Sequence, residues 1–130
     1  MVLLIAVHAV FYFILQSRTV AKNKSSKLFY LAQHLLILSV GLLLFAWLSG
    51  RYSLIQGLSW VMINLALHAV IDWNIWKLYK LTVVIRNPGV LDNPGEYQYQ
   101  EDKMFCDFIA IDQSLHGLCY ILADYIVRSL

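Results

Sequence analysis

Four predominantly apolar runs, at about 2–16, 28–49, 54–76 and 104–128, decide what this chain can become. A helix rises about 1.5 Å per residue, so roughly 20 apolar residues are needed to cross the ~30 Å hydrocarbon core of a bilayer. Each run is near that length. With 60% hydrophobic and 14% charged residues, the chain has too little polar surface to clothe a soluble globule of 130 residues. The expected fold is an all-α integral membrane protein, a single domain of four transmembrane helices. The loop at about 77–103 is then the one sizeable extramembrane piece. The opening MVLLIAVHAV has neither a basic start nor a small-residue cleavage site, so the first run is expected to remain as a span.

Charge placement orients the bundle. Arg18, Lys22, Lys24 and Lys27 separate the first two runs, and Lys77, Lys80, Arg86 and Lys103 separate the last two. Only Arg51 and Arg128 fall on the other side. The positive-inside rule therefore places both basic loops in the cytoplasm and both termini outside. Basic loops of this kind are accounted for by topology and anionic lipid head groups, and nothing reads as a nucleic-acid surface. Cys106 and Cys119 share one run but lie on different helix faces, as small apolar residues.

Two stretches break the apolar pattern. ALHAVIDW, at 66–73, carries His68 and Asp72, and AIDQSLHG, at 110–117, carries Asp112 and His116. Each pair is spaced i,i+4, so both members project from one helix face. Counted from the inner ends, Asp72, His34, His68, Asp112, His8 and His116 all fall within about 6 to 18 Å of depth, in one slab of the cytoplasmic half of the membrane. Ionisable groups in hydrocarbon cost about 2.5–3.5 kcal/mol each on insertion scales, and normally face a bundle interior, with partners. The slab is therefore read as a divalent-metal site with His8, His34, His68, Asp72, Asp112 and His116 as candidate ligands. Neutral imidazoles and carboxylates suit Zn²⁺ or Mn²⁺, and Asp72 and Asp112 are the candidate catalytic carboxylates. Against this, a lone intramembrane His such as His34, beside Gln33, is also a good interhelical hydrogen-bonding group. Asn64 and Gln113 read as supporting amides. Asp107 and Asp124, nearer the interfaces, read as solvated.

The connectors are less informative. QSRTVAKNKSSK reads as a polar, basic linker and SGRYS as a tight outer turn. WNIWKLYKLTVVIR reads as a helix end lying at the interface. Two NPG triplets, at 87–89 and 93–95, force turns, because Pro fixes φ and Gly accepts positive φ. AVHAVFYF at 6–13 also aligns with ALHAVIDW at 66–73, pairing His8 with His68 and Tyr12 with Asp72. That echo is compatible with two repeated helical hairpins.

With HAVID, DQSLH and HAVFYFILQ in view, the chain resembles, over essentially its whole length, a family of small bacterial and phage-borne inner-membrane proteins, the domain of unknown function 3307. The family pattern places a His-x3-Asp and a Gln in the first helix, a His in the second, His-x3-Asp in the third and Asp-Gln-x2-His in the fourth. These fall on His8, Tyr12 and Gln16, then His34, then His68 and Asp72, then Asp112, Gln113 and His116. Tyr12 stands where the pattern has Asp, so a site for two metals would here hold one, or be catalytically impaired. The resemblance implies kinship with membrane-bound metal-dependent hydrolases in the bacterial inner membrane.

Several functions remain open at this point. One is metal-dependent hydrolysis of a lipid-linked phosphoester reached from the cytoplasmic leaflet. A second is a transporter or channel-like module that moves metal ions or protons through the same cluster. A third is a structural subunit whose polar layer only joins helices, and a fourth a bis-His haem protein. The partners expected are membrane lipids, with further copies of the chain or a larger membrane assembly.

Overall fold

The computed structural model describes residues 17–91 and 103–129, together with Leu4 and Val10. The described chain is all-helical. A short helix, α1 (Arg18–Asn23), leads into α2 (Leu28–Ser49), α3 (Leu54–Arg86) and α4 (Lys103–Ser129). Pro88–Leu91 adds one 3₁₀ turn.

Local chemistry explains the boundaries. Ser17 accepts a hydrogen bond from the Val20 N–H and so caps α1. At the other end of α2, Gly50 takes up a left-handed φ of 60°, which a Cβ would strain, and closes the helix through its N–H to Trp47 O. Three residues later Ser53 and Gln56 form a reciprocal capping box that starts α3. The NPG at 87–89 ends α3: Asn87 is its C-cap and Pro88 opens the 3₁₀ turn.

Antiparallel packing puts α3 in the middle, against α2 on one side and α4 on the other. Inward residues recur every three or four positions, as in Leu31, His34, Leu38, Leu42 and Phe45 of α2. Near the 50–53 turn, Leu38, Leu42, Phe45, Trp60, Val61, Tyr120, Ala123 and Val127 form an apolar cluster that also includes Leu4. Trp60 lies at its centre, 5.6 Å from the Phe45 ring and 6.0 Å from Tyr120. At the opposite end Tyr79, Val83 and Met104 make a second, smaller cluster, supported by Trp76, Phe105 and Phe108.

The outer surface is apolar where a soluble protein would be polar. Leu54 is 79% exposed, Trp47 78% and Leu28 70%, while Asp72 and three histidines are fully buried. Two described helices, α2 and α3, are long and apolar enough to cross a membrane. That is fewer than the four expected. Apart from Leu4 and Val10 the first run, with His8, Tyr12 and Gln16, lies outside the described residues, as does the second NPG. Helix α4 has 27 residues but carries Asp107, Asp112 and Asp124.

The segment 73–86, read as a helix end, is the continuous end of α3, where Tyr79 and Val83 bury their side chains against the start of α4. The connector after the first run differs from expectation. QSRTVAKNKSSK is no plain linker: it forms α1 and turns Lys24 and Ser25 inward.

A candidate metal centre in the buried polar layer

Between the two apolar clusters lies a layer made of Lys24, His34, Asn64, His68, Asp72, Asp112 and His116, all buried. Helical spacing produces it. Asn64, His68 and Asp72 follow one another at i,i+4 along α3, and Asp112, His116 and Tyr120 do the same along α4, so one face of each helix presents three polar groups.

Asp72 is the hub. Its Oδ2 lies 3.0 Å from His34 Nε2 on α2, and its Oδ1 lies 3.8 Å from His116 Nε2 on α4. The Lys24 ammonium forms an ion pair with the same Oδ1. Three elements thus converge on one carboxylate. On α4, Asp112 Oδ2 lies 3.7 Å from His116 Nδ1 and accepts a hydrogen bond from Gln113 Nε2 at 3.0 Å. Gln113 thus donates to the side chain of its neighbour Asp112.

His68 is held differently. Its Nδ1 lies 2.9 Å from the Asn64 carbonyl, which only accepts, so Nδ1 carries the proton and donates. Nε2 faces the Tyr120 hydroxyl at 3.4 Å. Asn64 turns its own amide to Trp60 O at 2.8 Å.

One ligand atom each from Asp72, Asp112 and His116 lie within 4.8 Å of one another, close enough to share a cation. Two carboxylates and an imidazole are a donor set that borderline divalent ions accept. The structure therefore brings together five of the six expected ligands, His34, His68, Asp72, Asp112 and His116, but only three form the compact group. His34 sits behind Asp72, His68 stacks on His116, and His8 lies outside the described residues.

The sequence reading missed Lys24 and Tyr120. Tyr120 carried a signal, since it continues the Asp112 and His116 spacing by one more turn. Lys24 carried none, because its neighbours are those of any basic loop. Asp124 also departs from expectation: it accepts hydrogen bonds from Tyr52 Oη at 2.6 Å and Arg128 Nε at 2.9 Å. Asp107 is exposed, as expected.

Comparison with known proteins adds one finding. The model of a family described as Protein of unknown function (DUF3307) matches residues 1–130. No curated protein and no solved structure matches the chain.

Proposed function

The chain belongs to the DUF3307 family, and from its buried layer we propose that it is a multi-pass protein of the bacterial inner membrane that holds a divalent cation between Asp72, Asp112 and His116. The observation that carries this reading is the 4.8 Å grouping of their ligand atoms in a core sealed from solvent. A dry interior favours burying two carboxylates only when cations accompany them.

The inverted surface supports the membrane. In this reading α2 and α3 span it, α4 spans it too, and the run at 2–16 supplies the fourth helix. Asp112 of α4 faces inward, while Leu115, Leu118, Ile121, Leu122 and Tyr125 point outward and suit lipid. Both termini then lie outside. Helix α3, with 33 residues, is long enough to cross and to continue beyond the hydrocarbon.

The chemistry best suited to the site is hydrolysis of a lipid-linked phosphoester. A bound Zn²⁺ or Mn²⁺ would supply Lewis-acid polarisation and a lower pKa for water. His34 and Lys24 orient Asp72, and Gln113 orients Asp112. Asp112, beside His116, is placed to accept the proton released on attack.

A second reading, transport of ions or protons, draws on the polar chain from His34 through Asp72 to His116 and Asp112, which joins α2, α3 and α4.

Metal analysis of the purified protein tests the proposal. Wild type should retain about one equivalent of Zn²⁺ or Mn²⁺, as expected for a single closed site, and Asp112→Asn and His116→Gln should lose it. Wild type that takes up neither ion would sink the metal reading. Turnover of a phosphoester lipid by the loaded protein separates hydrolysis from transport.

A further inference from the structure

An open groove of about 510 Å³ runs along the outside of the molecule between α3 and α4, and no residue of the buried polar layer lines it. Val70, Leu78 and Leu81, all exposed, lie along its α3 side, and Leu115 belongs to its α4 side. Helical spacing explains the stripe. Positions 70, 74, 77, 78 and 81 fall at i, i+4, i+7, i+8 and i+11, on one side of α3. Asn74 and Lys77 are thus polar groups set into an apolar wall. The volume is that of grooves and clefts that take small molecules, roughly 300–1,000 Å³.

Depth says what kind of molecule belongs there. In the proposed topology α3 enters the bilayer near Leu54, and about 20 residues carry it across, so the inner boundary falls close to Asn74. Val70 then lies among lipid tails, and Asn74 and Lys77 at the level of head groups. Leu78 and Leu81 keep the wall apolar farther along the helix. An exposed apolar wall that outruns the hydrocarbon draws lipid along it.

Lys77 sets the charge of the occupant. Its ammonium lies over the Trp73 ring, one turn back toward the membrane, and meets no carboxylate among the described residues. A cation at the edge of the hydrocarbon is best matched by an anion, and a charge-assisted bond to a phosphate oxygen supplies one. Asn74 stands beside it: its Nδ2 donates to Val70 O and has a second hydrogen to offer. A zwitterionic head group brings an ammonium of its own, which competes with Lys77 for the phosphate. A second protein helix fits less well, because helices that pair in lipid approach through small residues, and this stripe is built of Val and Leu.

We infer that the groove binds one anionic phospholipid of the cytoplasmic leaflet, with an acyl chain between α3 and α4 and its phosphate on Lys77 and Asn74. This rests on the proposed membrane topology and is independent of the metal centre. The bound lipid ties α3 to the inner leaflet at a fixed depth, which a helix of 33 residues does not otherwise define.

The test uses the full-length protein in vesicles of equal parts phosphatidylglycerol and phosphatidylcholine. The protein is released into mild detergent, and native mass spectrometry identifies the lipid it retains. Wild type should keep one phosphatidylglycerol in preference to phosphatidylcholine by about five-fold or more, the effect of one lysine on an anionic lipid surface. Lys77→Gln should lose that preference. Lys27→Gln makes the same charge change at an exposed position starting α2, on the other side of α3, and should keep it. Val70→Trp, at an exposed position, should crowd the tail end of the groove and reduce retention of either lipid. Equal retention of the two lipids by wild type, equal losses in Lys77→Gln and Lys27→Gln, or wild-type retention by Val70→Trp would overturn the groove as a site and leave the membrane reading standing. A protein that does not enter the vesicles at all would overturn both.

Discussion

The imidazoles of His68 on α3 and His116 on α4 lie face to face, with ring centroids 4.2 Å apart and planes 24° from parallel. Two imidazolium ions so placed in a dry core would repel, so the stack is built for at most one positive charge. His68 is fixed by its Nδ1 donor to Asn64 O, whereas His116 meets Asp72 and Asp112 on its two nitrogens. Their roles differ accordingly: His116 faces the proposed ion and His68 supports it from behind.

Phenylalanine separates those roles. His68→Phe keeps a ring against His116 and loses only the support, so ion affinity should fall by about ten- to a hundred-fold, the usual effect of losing an outer-shell partner. His116→Phe should abolish binding. Isothermal titration of both variants checks this, and equal losses would refute the division.

Asp72→Asn should be the most disruptive single change. It takes the carboxylate charge away from the buried Lys24 ammonium and weakens the contact to His34. Removing one partner of a buried pair costs about 3–5 kcal/mol. Denaturation in mild detergent should show that loss, and Asp107→Asn, at an exposed position, should show almost none.

Orientation can be read by cysteine labelling in a Cys106→Ser background. Arg51→Cys, in the turn between α2 and α3, should react with an impermeant maleimide added to intact cells. Arg86→Cys, at the far end of α3, should react only after permeabilisation. The reverse pattern would invert the proposed topology.

Tyr52 sets an alkaline limit at that same turn. Its hydroxyl is pushed up to about 12, first by partial burial and then by its hydrogen bond to Asp124. The fold thus favours the neutral phenol. Its contribution is complete below the ordinary tyrosine pKa of about 10 and is lost as pH rises toward the folded value. Tyrosinate absorbance should lose one late-titrating group in Tyr52→Phe, and that variant should be about 1 kcal/mol less stable at neutral pH.

The helices and the polar faces were legible because both rest on periodicity. Leu31 to Phe45 repeat at helical spacing, and His68 with Asp72 or Asp112 with His116 can only share a face. What periodicity could not give is which chain segment returns to meet a face. Lys24 has the local surroundings of a solvated lysine, and only the fold of α1 against α2 carries it to Asp72. The end of α3 could be read as helix but not what it packs on: Lys77 and Lys80 occupy the outer side of a helix whose inner side is Tyr79 and Val83. Lys77 even lays its ammonium over the Trp73 ring, 3.7 Å from its centroid. Asp124 read as solvated because its partner Tyr52 lies on a distant turn.

The order of the polar groups along the chain bears on how such a protein is made. Lys24 and His34 precede Asp72, and Asp112 and His116 come last. During synthesis from the N-terminus, the helix bearing Asp72 leaves the ribosome when the basic segment and α2 already exist. In the proposed membrane topology the carboxylate can therefore meet a counter-charge while α3 is still entering the bilayer. The second carboxylate arrives when the Lys24 and Asp72 pair is in place, so that in the same proposed topology α4 is the helix whose insertion has most to gain from an available metal ion.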